Sequence, residues 1–358
     1  MKAARLYGIG DIRIDEVPRP SPGPGEALVR VKAVGICGSD VHYFKEGRIG
    51  EVVVSEPLVL GHEPAGVVEA VGEGVEHLKP GDRVAVDPAI PCGRCEWCER
   101  GHPNLCPSVR FFGTPPVDGA LREYITHPAE ALFKLPEGLD YECGAMLEPF
   151  GVALHAVDLA HLKPGQRIAV FGVGVIGLFV VQLARLSGAV RIFATDLFPS
   201  RLELAGRFGA DEVFRPDLED PVAGIMEATG GRGVDVAFEA AWVHGTVEQA
   251  VEALAPGGTL VLIGIPLGED VVSFRASSSR RKGLTVKMVR RMKHAYPRAI
   301  RMAEKGLVDL KSPITHRFPL EEVRRAFETA AEYRDGVVKV MVELNCSDKA
   351  KIPQLCQT

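Results

Sequence analysis

Apolar and polar positions alternate with a period of two along much of the chain up to residue 88. The runs ALVRVKAV (27–34), GVVEAVG (66–72) and DRVAVDP (82–88) read as half-buried strands, with PSPGPGE (20–26) as a loop and LKPGDRV (78–84) as a turn feeding a strand. Short strands at this spacing predict a small barrel or sandwich. From Gln166 the period changes, and strands alternate with helices. RIAVFG (167–172) leads into a helical LFVVQLARLSG (178–188), then RIFATD (191–196). VDVAFEAA (234–241), a helix at 246–255, GTLVLIGI (258–265) and LTVKMVRR (284–291) complete a parallel sheet of about six strands. Beyond residue 291 the pattern breaks again into helices near 297–305 and 320–332 and a strand, VVKVMVEL (337–344). The tail 345–358 is polar and unpatterned.

At 358 residues the chain exceeds the size at which one core keeps growing, so two domains are expected. Apolar residues at 46% and charged residues at 25% fit a globular enzyme. No apolar run has the length of a membrane span, and the first residues lack a signal peptide's apolar core. A net charge of −5 with interspersed signs disfavours nucleic acid as a partner. The basic run Ser279 to Lys282 reads as a solvated face.

Four of the eight cysteines crowd together as Cys92, Cys95, Cys98 and Cys106. In a chain without an export signal this argues for metal rather than disulfides, and for the cytoplasm. The spacing C-x2-C-x2-C-x7-C can wrap one tetrahedral zinc. An iron–sulfur cluster also takes four thiolates, but the bacterial ferredoxin run ends differently, so zinc is preferred. Cys143, Cys346 and Cys356 fit no pattern and read as ordinary thiols.

A second donor set is Cys37 with the pair His62 and Glu63. Thiolate, imidazole and carboxylate suit a zinc with a position left open for catalysis. The plainer alternative is a buried cysteine and an ordinary His-Glu pair. Small residues flank Cys37, and Asp40 and His42 follow at once as groups to orient ligands and move protons. Glu148, an acid beside Pro149 in an apolar run, is either the first-turn acid of a helix or a functional group. Phe111 and Phe112 precede an apparent hairpin, where aromatic residues are most often core.

Strand, G-x-G-x-x-G (Gly172, Gly174, Gly177), helix and second strand ending in Asp196 form a dinucleotide fingerprint. Its glycines let backbone N–H groups reach a pyrophosphate at a helix N-terminus. A βαβ unit with incidental glycines is the alternative. Asp196 can bond a ribose 2′-hydroxyl and would repel a 2′-phosphate, which favours NAD over NADP. Arg201 can stack on adenine or pair with a phosphate.

Together these features resemble the zinc-dependent medium-chain dehydrogenases over nearly the whole chain. CGSDVHYFKEGRIG, LGHEPAGVV, FFGTPPVDG and ITHRFPLEEVRRAFET are most similar to the sorbitol (polyol) dehydrogenases. The resemblance implies an α/β chain with a GroES-like, β-barrel-type catalytic domain at 1–150, carrying a zinc lobe at 89–107. A Rossmann NAD-binding domain, a doubly wound parallel sheet, would occupy 151–291, and residues 292–358 would return to the catalytic domain. It further implies a catalytic zinc on Cys37, His62 and Glu63, with Glu148 as a possible fourth ligand where alcohol dehydrogenases have a cysteine. Tyr43, Phe112, Thr114, Glu148 and Arg291 would meet the polyol, and Ser39, His42 and Glu148 would handle its proton. Gly172, Gly174, Ile176, Gly177, Asp196, Arg201, Ile263, Gly264, Ile265, Val289 and Arg291 would contact NAD. Two departures stand out: the four-Cys lobe that animal relatives lack is complete here, and Met292 replaces their tyrosine.

The implied reaction is NAD⁺-dependent oxidation of a sorbitol- or xylitol-type polyol to a ketose by a cytoplasmic homotetramer, with two zinc ions per chain. A threonine 3-dehydrogenase-like or other secondary-alcohol dehydrogenase is the alternative on the same scaffold. A non-catalytic dinucleotide-binding protein is the alternative of another class.

Overall fold

The computed structural model describes residues 1–241, 243–266 and 271–344. Cys346, Cys356 and the rest of the 345–358 tail lie outside the described residues. Two compact units emerge: Met1–Glu148 with Tyr296–Thr358, and Pro149–Ala295.

In the first unit the longest of the alternating runs becomes the strand Glu26–Ile36, the hub of a seven-stranded sheet. Glu63–Val71 pairs with it antiparallel on one side and Lys339–Glu343 on the other, and Tyr124–Pro128 pairs with its first half. Arg83–Val86 and Leu132–Lys134 extend one edge, and Ile314–Pro319 the other. Two register shifts between Glu26–Ile36 and Glu63–Val71 bend the pair, as a curved sheet requires. Val29, Val31, Val34, Ile125 and Val340 point inward and are essentially buried. Ile314–Pro319 and Lys339–Glu343 are strands of this sheet, with the helix Val323–Ala331 between them in sequence.

The second unit is a six-stranded parallel sheet. Its order is Glu212–Phe214, Arg191–Thr195, Arg167–Phe171, Val234–Glu239, Leu254–Leu262, Thr285–Met288. In sequence rank that is 3-2-1-4-5-6, the doubly wound order whose crevice opens where the chain reverses direction beside the first strand. Phe171, Phe193, Ala237 and Leu260 fill its core.

Several elements differ from the pattern-based expectation. The helix expected at 246–255 is His244–Ala253, and the strand after it runs Leu254–Leu262 rather than to Ile265. The strand at 284–291 is shortened to Thr285–Met288, so Val289 and Arg291 lie past its end. The short strand Glu212–Phe214 went unread because three residues carry no measurable period. Among the described residues one helix, Tyr141–Ala160, is long and apolar enough to cross a membrane, but 83% of its apolar window is buried in the protein.

His127 lies fully buried on Tyr124–Pro128, its Nε2 donating to the Asp87 carbonyl at 2.7 Å and its ring edge-on to Phe112 at 4.6 Å. Burial, with Arg110 adding to it, pulls its pKa from 6.5 down to about 4. A depressed folded-state pKa means stability is fully present above 6.5 and lost as pH falls toward 4, about 3 kcal/mol in all. His127→Gln keeps a donor without the titration. Its melting temperature is expected to fall less between pH 7 and pH 4 than the wild type's, which calorimetry across that window checks.

Candidate active site and metal centres

The helix Gly38–Glu46 begins where the strand Glu26–Ile36 ends, with Cys37 as its N-cap. Asp40, three residues on, accepts the Cys37 N–H at 2.9 Å through Oδ2 and the Gly61 N–H at 3.0 Å through Oδ1. The same carboxylate lies 3.4 Å from His62 Nδ1. One buried acid therefore ties together the two segments that carry the donors. It also holds the imidazole by Nδ1, leaving Nε2 as the donor nitrogen. Burial alone would raise Asp40, but the His62 charge and those two N–H groups bring it below the usual carboxylate range. For His62 burial pulls down, while Asp40 and Cys37 lift it well above its ordinary value.

Cys37, His62 and Glu63 place one donor atom each within 4.8 Å of one another. This thiolate, imidazole and carboxylate set fits zinc. Glu63 is completely buried, and its counter-charge is a residue that sequence reasoning missed. Lys339 Nζ lies 2.7 Å from Glu63 Oε1 and 2.5 Å from Oε2, and both side chains are buried. Glu63 stands directly opposite Gly35, and Gly35 opposite Met341. A Cβ at Gly35 would sit 1.9 Å from Glu63 Oε2 and 2.9 Å from Lys339 Cε. The bare glycine is the passage through which acid and lysine meet.

Glu148 does not start a helix. It lies midway along Tyr141–Ala160, with Pro149 inside the helix, so the first-turn reading is corrected. It falls outside the group of three donors but is buried close enough to feel their charges. Burial above all, and Glu63 beside it, push its pKa up to about 8, although His62 pulls the other way. Ser39 Oγ is 3.5 Å from His62 Nε2, and His42 is buried three residues along the same helix.

Phe112 is also corrected: it is 4% exposed, packed in the barrel core against His127. Its neighbour Phe111 takes the place at the site, its ring centroid 5.2 Å from that of His62. Tyr43 is buried in the same core, and Thr114 is half-buried in the turn that bridges to Val117.

Phe111 also belongs to the stem of the four-Cys lobe. Ala89–Ile90 pairs antiparallel with Arg110–Phe111, and the chain between them brings the sulfurs of Cys92, Cys95, Cys98 and Cys106 within 4.8 Å of one another. The Arg94 backbone N–H and Cys106 draw Cys92 down to about 7, whereas desolvation and Cys95 push Cys98 up to about 12. So crowded a set ionises fully only around a cation, which is the chemistry of a closed zinc site.

In the second unit Gly172 has φ 88°, and a Cβ there would strike Ala241 at 2.6 Å. A Cβ at Gly177 would fall 2.0 Å from the Gly172 carbonyl oxygen. Gly174, the N-cap of Val175–Leu186, faces open space apart from Arg201 Nη1 at 3.9 Å. The first and third glycines serve packing, the second leaves room for a ligand, and Ile176 is half-buried in the first turn. Asp196 accepts from Val173 N at 3.0 Å and Phe198 N at 3.1 Å, so it braces the glycine turn. Arg201 lies 3.7 Å from it, over the Phe198 ring. Ile263 and Gly264 donate to the Glu239 carbonyl just past the end of Leu254–Leu262, with Ile265 exposed beyond them. Val289 N donates to Leu262 O, and Arg291 follows at φ 54°. Met292 is buried in this unit against Gly151. These groups fit a dinucleotide.

The family model described as "Alcohol dehydrogenase GroES-like domain" matches residues 23–137, and "Zinc-binding dehydrogenase" matches 175–305. A sorbitol dehydrogenase of Bacillus subtilis is 41% identical over 96% of this chain and 98% of its own length. The chain belongs to the zinc-dependent medium-chain dehydrogenases, in the sorbitol dehydrogenase subfamily. Another such dehydrogenase, the sorbitol dehydrogenase of Arabidopsis thaliana, is 42% identical over 96% of this chain and 95% of its own. An Escherichia coli oxidoreductase of unknown specificity superposes with a TM-score of 0.91 at 36% identity, covering 96% of this chain and 99% of that one.

The Gly35 passage yields a test. Gly35→Ala is expected to displace the Glu63 carboxylate and leave the four-Cys lobe intact. Elemental analysis should then fall from two zinc ions per chain to about one, against an unchanged wild-type value.

Proposed function

We propose that the protein oxidises a secondary hydroxyl of a sorbitol- or xylitol-type polyol to the ketose, with NAD⁺ as hydride acceptor. The observation that carries this reading is the donor group Cys37, His62 and Glu63 with Glu148 buried nearby, a carboxylate-rich site in a chain about 40% identical to sorbitol dehydrogenases. Zinc on those donors supplies Lewis acidity that makes a secondary alcohol easier to deprotonate.

The chain's own residues do the rest. Asp40 fixes the His62 ring, and the Ser39 hydroxyl beside Nε2 receives the alcohol proton and hands it toward His42, one helical turn away. Glu148, whose pKa about 8 leaves it able to hold a proton at neutral pH, is the second proton station. The Phe111 ring keeps bulk water from His62. Asp196 takes the adenosine ribose and Arg201 its adenine or phosphate, with Gly172, Gly174, Ile176 and Gly177 around the pyrophosphate. Ile263 to Ile265 and Val289 meet the nicotinamide side. Arg291 holds a left-handed backbone conformation that is unusual for a non-glycine residue, a strain found where a side chain must be aimed. We assign it to the vicinal hydroxyls of the polyol. Within the barrel unit Thr114, half-buried, is assigned to the substrate, whereas Tyr43, buried in the core like Phe112, is not.

A cytoplasmic homotetramer is part of the proposal. Its support is the edge strand Thr285–Met288, where Val286 is 41% and Met288 72% exposed, a template for a second copy. Light scattering on the purified protein tests it.

NADH absorbance with sorbitol, xylitol, 2,3-butanediol and L-threonine tests the substrate. Turnover of threonine or the diol ahead of both polyols would overturn the reading. Asp196→Ala is expected to raise the NAD⁺ KM about tenfold, the loss of a charge-assisted hydrogen bond, and to admit NADP⁺. A wild type that already prefers NADP⁺ would refute that role. Arg291→Ala should raise KM for polyols more than for 2-butanol, whereas Glu148→Gln should lower kcat for both, measured by steady-state kinetics.

A further inference from the structure

Among the described residues, the ion pair between Glu63 and Lys339 is the buried charge contact at the metal group that the proposed reaction leaves unused. Lys339 Nζ donates a hydrogen bond to Glu63 Oε1 at 2.7 Å, while Oε2, 2.5 Å from the same ammonium, is buried without a hydrogen bond of its own. Oε2 can turn to a metal at the cost of its close approach to the ammonium, but Oε1 cannot do so without breaking its hydrogen bond to the lysine. Nor can the carboxylate release the lysine altogether, because an unpaired buried ammonium is strongly disfavoured. Lysine suits such sharing, being a point charge on a flexible stem that can serve one oxygen as readily as two. We propose that Lys339 is a positioning residue that competes with zinc for the Glu63 carboxylate and so sets how easily the ion leaves. It limits Glu63 to one oxygen toward the metal and neutralises the carboxylate whenever that oxygen is withdrawn.

The inference rests on the reading of Glu63 as a zinc ligand. It differs from a purely structural role in the sign of two substitutions. Lys339→Met has nearly the same shape and no charge, which frees both oxygens for the metal. Lys339→Arg presents a planar fork that matches both oxygens at once.

The test uses the full zinc-loaded protein challenged with a chromophoric chelator, following zinc release by absorbance. The four-Cys zinc serves as the slow internal reference. Release of the faster zinc should slow about tenfold in Lys339→Met and quicken in Lys339→Arg, the range seen for groups that support metal ligands. The gap in melting temperature between zinc-loaded and stripped protein should widen in Lys339→Met, since only the stripped form holds an unpaired carboxylate. Release that quickens in both variants, or changes in neither, overturns the proposal. Glu63→Gln separates the two levels. If it leaves release unchanged, Glu63 is not a ligand and the underlying reading fails. If it quickens release while the lysine variants fail to diverge, only the role of Lys339 fails. Should Lys339→Met not fold, the Lys339→Arg rate alone decides: a rate at or below the wild type's refutes the competition.

Discussion

A buried acid and a buried base meeting across one glycine organise the catalytic unit. Glu63, Gly35 and Lys339 sit on three adjacent strands, and the register of both pairings has to hold for the carboxylate and ammonium to meet. A slip of one residue in either strand would turn one charge to the other face of the sheet and strand its partner in the core. Such a pair contributes little net stability, because desolvating two charges offsets their attraction. What it does is penalise every wrong register. The metal donors inherit that accuracy, since Glu63 starts the strand and His62 directly precedes it.

A similar economy links the two metal groups. The antiparallel pair Ala89–Ile90 and Arg110–Phe111 closes the neck of the four-Cys lobe, and its last residue is the aromatic ring beside His62. A lobe locked by four sulfurs thus holds one wall of the site. Asp40 acts likewise from the other side, with one carboxylate joining the Cys37 helix to the Gly61–His62 turn.

Some of this was legible in the sequence because the chemistry is local. The four cysteines, the glycine turn with its strand, helix and acid, and the Cys37 and His62-Glu63 donors each announce themselves within a few residues. Lys339 does not. In VVKVMVEL it reads as the solvent-facing member of an alternating strand, and its partner is 276 residues away. Phe111 ends a two-residue strand and Phe112 lies just past it, one beside His62 and the other in the core, so only the fold tells which one meets the site. Glu148 was legible as a candidate, but its place in the helix was masked by Pro149, a residue that usually marks a helix's first turn and here sits inside one. The strand ends near Ile263 and Arg291 were blurred because apolar residues continue into the loops where the nucleotide is expected.

The catalytic unit is also discontinuous, and that bears on the order in which a growing chain can finish it. The cysteine, the histidine and the acid emerge early from a ribosome, but the lysine belongs to the last described strand, after the whole nucleotide unit. Until then the acid has a core position and no counter-charge. A zinc ion on the same donors is a cation that could supply one in the interval. On the competition proposed above, a nascent chain that had already bound zinc would loosen its grip on the ion as the final strand docks.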